Sequence, residues 1–199
     1  YNAAALGPLA LARELIAGSG DAGSRFATVG APEVWSMAGY RPLPAGIAYI
    51  GVRDGTRLER AALPRVDGGH WRRLAVLLAP GARPELPGEA EHLRAVLRRE
   101  AGRAANTLGV ALEDLEDPAA AFAAYEAARR IDPRNLSALV NQYALALRGA
   151  REALRPSIER QLRARFSQDK IVPPDHVIVS SYGVIRDPRI LSHYSQAWS

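Results

Sequence analysis

Short apolar runs interrupted by glycine and proline occupy the first part of this chain, and helix-spaced apolar stripes occupy the rest. Residues 2–17 are mostly apolar and predict a helix that Gly18 and Gly20 end. Residues 25–29 (RFATV) predict a short strand, and Gly30-Ala31-Pro32 turns into a short helix over 33–38 that Arg41-Pro42 and Pro44 break. A second apolar strand is expected over 47–52 (IAYIGV), closed by the turn Asp54-Gly55. Helix, strand, helix, strand is the order of a small α/β unit with parallel strands. Two strands are too few for a stable sheet, so further strands are expected from residues 56–79 or from upstream sequence. Residues 70–79 fit strand or helix equally, because the run is too short for its period to decide. Pro80-Gly81 and the proline-rich residues 83–88 then mark a link between domains.

From Glu89 a helical pattern runs through Leu93, Val96 and Leu97, and Gly102 weakens but does not forbid its continuation. Leu108, Leu112 and Leu115 make an apolar stripe, answered by Phe122 and Tyr125 on a second helix. Gly109 and Ala121 are small enough to let the two backbones approach. Asp117-Pro118 is a helix start, with a carboxylate for the orphan amides and proline at the first helical position. Asp132-Pro133 ends that helix, and Asn135 is placed to cap a third beginning at Leu136. Residues 136–149 (LSALVNQYALALRG) read as an amphipathic helix. Arg155-Pro156 begins another, and residues 172–175 (VPPD) form a loop. Residues 176–186, then Asp187-Pro188 and residues 189–198, look like a further hairpin.

Within residues 102–135, Leu108-Gly109, Leu112, Ala121, Tyr125, Ala128 and Pro133 fall at a spacing that resembles the tetratricopeptide repeat. Ala105 departs from the pattern, standing where that family usually carries tryptophan or another bulky residue. Residues 136–168 and 174–199 resemble divergent repeats; Tyr182-Gly183 echoes Leu108-Gly109, and Asp187-Pro188 echoes Asp117-Pro118. The resemblance implies a concave surface, lined by the first helix of each hairpin, that holds a partner's peptide. On the first helix that face carries Arg103, Asn106, Val110 and Glu113. On the next it carries Ser137, Val140, Asn141, Ala144 and Arg148. Asn106 and Asn141 are suited to hydrogen-bond a peptide backbone without demanding its sequence. The lysine and asparagine set with which some members clamp a terminal carboxylate is absent.

Composition changes this picture little. The 199 residues include no cysteine, which excludes disulfides and thiolate metal sites. The formal charge of +5 comes almost wholly from arginine, with Lys170 the single lysine. Residues 148–170 are locally basic through Arg148, Arg151, Arg155, Arg160, Arg163, Arg165 and Lys170. Glu152, Glu159 and Asp169 are interspersed and Phe166 is the lone aromatic, a mixture typical of a solvated helix face. Nucleic acid is therefore not the expected partner. His70, His92, His176 and His193 share no metal-ligand spacing, and no hydrolase or phosphate-loop pattern occurs. Ser180-Ser181 has no adjacent base in sequence, and Glu113, Asp114, Glu116 and Asp117 read as a solvated helix end. The turn Thr28-Val29-Gly30-Ala31-Pro32 has one glycine where a cofactor fingerprint needs several. No catalytic residue, cofactor or metal is expected.

No run is long and apolar enough to cross a bilayer, and residues 3–12 lack the basic flank of a signal peptide. The start at Tyr1 and the stop at Trp198-Ser199 inside a helical pattern suggest a segment cut from a longer chain. The expectation is an α+β protein: a small α/β unit over residues 1–86, then an all-α, tetratricopeptide-like array over 87–199. Its expected function is non-enzymatic, the binding of a partner peptide or neighbouring domain. The alternative is a non-catalytic soluble tail of a bacterial multi-spanning, glycosyltransferase-like membrane enzyme. The compartment stays open between bacterial cytoplasm and the extracytoplasmic side of a membrane protein.

Overall fold

The computed structural model describes residues 8–20, 26–60, 63, 68–79, 88–168 and 175–196. The expectations for residues 2–7, Arg25, the link over 80–87, the loop over 172–174 and Trp198 lie outside them. The protein is α+β, mostly helical with one small antiparallel sheet, and it divides into two compact units, Tyr1–Val66 and Asp67–Ser199. Helix Gly68–Leu77 thus belongs to the second unit, ahead of the proline-rich link at which the sequence suggested a boundary.

In the first unit, α1 (Pro8–Ala17), β1 (Thr28–Val29), α2 (Glu33–Met37), β2 (Tyr40–Ala45) and β3 (Ala48–Arg53) follow in order. The strands are not parallel, as the element order suggested. They form an antiparallel sheet in the order β1-β3-β2. The third strand the sheet needs is the stretch that was expected only to break a helix. Gly46, at φ 70, supplies the positive φ of a two-residue hairpin turn between β2 and β3. In such a hairpin the pair beside the turn exchanges hydrogen bonds, here Ala45 with Ala48, and then every second pair does. Pro42 and Pro44 fall on the intervening positions of an edge strand, where a missing N–H costs nothing. Trp35 from α2 lies fully buried against Gly51 of β3, and its indole N–H donates to the Thr28 hydroxyl at 2.9 Å. The Tyr40 ring meets it edge-on at 5.9 Å.

The second unit holds α3 (Gly68–Leu77), α4 (Gly88–Asp114), α5 (Pro118–Ile131), α6 (Leu136–Leu147), a 3-10 turn (Glu152–Leu154), α7 (Arg155–Gln168), α8 (Asp175–Tyr182) and α9 (Arg189–Gln196). Residues 70–77 are therefore helical. Gly102 does not interrupt α4, which runs unbroken for 27 residues. Both of its mid-helix glycines lie at the contact with α5. A Cβ on Gly102 would stand 2.9 Å from Cβ of Asp132, and one on Gly109 would stand 2.3 Å from the Tyr125 ring. These contacts run in opposite chain directions, so α4 and α5 form an antiparallel hairpin. It is Tyr125, more than Ala121, that fills the space above Gly109.

The helix starts are capped as their sequences indicate. Asp117 accepts from the amide of Ala120 at 3.0 Å, and Asn135 from that of Ala138 at 2.9 Å. Burial of α6 differs from expectation. An amphipathic helix exposes one side, but residues 135–146 are buried without a break, and so are residues 101–106 of α4. Helices α5, α7, α8 and α9 all pack on α6, so it is covered on every side. Its polar residues Ser137, Asn141 and Gln142 are consequently inside the protein. The last expected hairpin also differs. Helix α8 stops at Tyr182, not near residue 186, and residues 183–186 are non-helical.

Candidate functional site

Gly183, at φ 92, ends α8 in the left-handed conformation that closes many helices, with its amide still bonded to Val179 O at 2.8 Å. Val184 and Ile185 follow, and Asp187 then accepts from the amide of Arg189 at 3.2 Å at the start of α9. The Arg189 guanidinium, bonded to the same carboxylate at 2.8 Å, holds Asp187 below the usual carboxylate range. Between the two short helices, residues 183–186 present main-chain groups with no helical partner. A buried backbone group without a partner is costly. Side chains of α4 and α6 supply the partners.

The Ser137 hydroxyl donates to Gly183 O at 2.7 Å. Val184 O accepts from Nδ2 of Asn106 at 3.0 Å and from Nδ2 of Asn141 at 2.9 Å. The amide of Arg186 donates to Oδ1 of Asn141 at 2.9 Å, and Nδ2 of Asn141 also donates to Oδ1 of Asn106 at 3.0 Å. One step upstream, Asn135 donates to Tyr182 O at 3.4 Å. The network fixes its own polarity. The Arg186 N–H can only donate, so Asn141 must turn its oxygen towards it and its nitrogen towards Val184 O. That nitrogen then requires the oxygen of Asn106, which leaves Nδ2 of Asn106 for the same carbonyl. Each carboxamide has a single workable orientation. Asn141, accepting from the amide of residue 186 and donating to the carbonyl of residue 184, bonds the segment as a residue of a parallel neighbouring strand would.

The nine residues expected to line an open groove are thus distributed unevenly. Asn106, Ser137 and Asn141 converge on one extended segment, and each is 0% exposed. Arg103 is buried beside Gly183, with Cγ at 3.5 Å from where that residue's Cβ would be. Val140 and Ala144 are buried within α6, and Val110 is half-buried. Glu113 and Arg148 pair with each other at the end of α4; the arginine side chain is 57% exposed and the carboxylate is enclosed. Glu113 also accepts from the Tyr125 hydroxyl at 2.5 Å. Burial, then this carboxylate, pushes the Tyr125 phenol far above its ordinary value of 10.0. The expected face is not open to solvent: the chain's own residues 183–186 occupy its centre.

Three participants escape the sequence reading. Asp114, read as part of a solvated acidic end, pairs with Arg186 at 3.0 Å. Asn135 does more than cap α6. Gly183, read as a repeat echo, is the helix stop. A signal for it was present: glycine followed by two β-branched residues, then Asp-Pro, favours a helix end and an extended run.

The other candidates fall into ordinary roles. The Thr28 hydroxyl is used by Trp35. On α7, Ile158, Leu162 and Phe166 form the buried stripe, while Arg155, Arg160 and Arg163 are exposed and Arg163 pairs with Glu159 at 2.7 Å. Arg129 ties α5 to its neighbours, donating to Gln142 at 2.6 Å and also to Gln161; burial lowers its pKa. Among the described residues there is no cluster of three or more histidine or carboxylate groups able to hold a metal ion. No described helix is long and apolar enough to cross a membrane. No family model matches the chain, and comparison with curated proteins and with solved structures finds no match either.

Proposed function

We propose that the Asp67–Ser199 unit is a protein-interaction module of the tetratricopeptide kind, whose α4–α6 face holds an extended polypeptide by its main chain. Its role is binding, not catalysis. One observation carries this reading: Asn106, Ser137 and Asn141 direct their hydrogen bonds to carbonyl and amide groups of a non-helical segment. Bonds to main-chain groups are indifferent to side-chain identity, and such a face accepts many chains of suitable shape. The glycine-mediated hairpin of α4 and α5 supports the repeat reading, because it sets the first helix of the hairpin against the held segment.

Selection of random ten-residue peptides on the full chain tests the proposal, with binding mapped by NMR. Binders are expected to shift the side-chain amide signals of Asn106 and Asn141. A selection whose binders all leave those two signals unmoved would refute it.

A further inference from the structure

We infer that the partner of this face carries the order glycine, any residue, aliphatic, arginine, and that residues 183–186 are an internal copy of that ligand which the partner displaces. The inference rests on the peptide-holding reading above and adds the side-chain code.

Each position of the held segment meets a different demand. At the first, a Cβ on Gly183 would lie 2.9 Å from Nδ2 of Asn106, and φ is 92. Sterics and backbone conformation both select glycine there. At the second, Val184 contributes its carbonyl to both asparagines while the residue is 46% exposed, so any residue fits. At the third, the Ile185 side chain is buried, which selects an aliphatic group. At the fourth, the Arg186 amide bonds Asn141 and its guanidinium meets Asp114 at 3.0 Å, half in solvent. The code therefore has two steric positions, one open position and one charge.

The same geometry makes the internal segment a competitor. Tethered through α8, it is present at an effective concentration of about millimolar order, and a separate peptide must exceed that. Weakening the internal arginine contact should tilt the competition towards a separate peptide, because the asparagines and Asp114 that would receive it are unchanged.

The test is a labelled peptide with the sequence of residues 180–189 (SSYGVIRDPR), titrated by fluorescence anisotropy into the full chain and into the full chain carrying Arg186→Glu. The peptide is expected to bind the variant about tenfold tighter than the wild type, the segment there being repelled by Asp114. Exchanging the peptide's arginine for glutamate, or its glycine for alanine, should weaken binding to the variant by about fivefold to tenfold each. Adding Asp114→Arg to the variant should invert the preference between the arginine and glutamate peptides. Equal binding of the arginine and glutamate peptides, with the Asn106 and Asn141 amide signals shifting, would overturn the code and leave the peptide-holding reading standing. No binding to the folded variant, by circular dichroism, would overturn both. If Arg186→Glu does not fold, hydrogen exchange at the Arg186 amide of the wild type replaces it. That exchange must quicken on adding the peptide; unchanged exchange up to the peptide's solubility limit overturns the inference.

Discussion

Removing the carboxamide of Asn141 is the most direct probe of how residues 183–186 are held. Asn141→Ala deletes three hydrogen bonds: to Val184 O at 2.9 Å, to Asn106 Oδ1 at 3.0 Å and from the Arg186 amide at 2.9 Å. A typical bond of this kind contributes about 1 kcal/mol net, but the groups left behind matter more. Oδ1 of Asn106 stays in a fully buried residue and loses this donor, which costs about 1–3 kcal/mol. Val184 O keeps its bond from Asn106, and the Arg186 amide, on an exposed residue, regains water. The sum is a loss of about 3–4 kcal/mol. Urea unfolding followed by far-ultraviolet circular dichroism reports mostly on the second unit, where most of the helix lies. With m near 1–3 kcal/mol per molar for a domain of this size, the midpoint should fall by roughly 1–4 M. Ser137→Ala removes one bond and leaves Gly183 O in a buried residue, so it should cost about 1–3 kcal/mol, less than the sum at Asn141. If Asn141→Ala costs no more than Ser137→Ala, the network is not a cooperative ligature and the reasoning fails.

Three further outcomes are expected. Gly109→Ala should destabilise by about 1–3 kcal/mol, although alanine is the better helix former, because its Cβ would stand 2.3 Å from the Tyr125 ring; a raised denaturation midpoint would contradict the close contact. Gly51→Ala should disturb the first unit at Trp35, whose ring lies 2.1 Å from the new Cβ, and should be read from Trp35 near-ultraviolet dichroism; an unchanged spectrum would count against that packing. The Tyr125 phenol is raised in the folded state above its ordinary 10.0, so the unfolded chain ionises first as pH rises. Stability should be fully present below that value and then fall by about 1.4 kcal/mol per pH unit for this group. Tyr125→Phe should lose that part of the alkaline decline, and midpoints measured between pH 9 and 11 that decline in parallel would refute the assignment.

The helical half was legible where spacing and capping spoke together. Asp117-Pro118 and Asn135 mark real helix starts, and the small residue Gly109 does lie at a close crossing. Two features misled, for physical reasons. Pro42 and Pro44 suggest a break because proline cannot donate, but an edge strand has alternate positions where no donor is required. Asn106 and Asn141 lie at the period of a polar helix face. Periodicity records that a face is polar, not whether water or another part of the chain covers it. What covers these two is a segment far along the sequence, and no local pattern encodes such a pairing. Residues 176–186 misled in the opposite way: Tyr182-Gly183 resembles Leu108-Gly109 in sequence, but Gly183 is a helix stop at φ 92 and not a close helix crossing.

The bond from Asn106 to Val184 joins positions 78 apart in the chain. Helices α4, α5 and α6 are neighbours in sequence and can associate early, since local contacts close small loops. The centre of their assembly still waits for residue 186. On a ribosome, adding about 5–20 residues each second, the chain passes through an interval of several seconds in which α6 exists and its polar groups have no peptide to hold. During that interval Ser137 and Asn141 are open to any extended chain nearby. Synthesis of this unit thus contains a window of exposure to chaperones and to neighbouring nascent copies, which closes when residues 183–186 arrive.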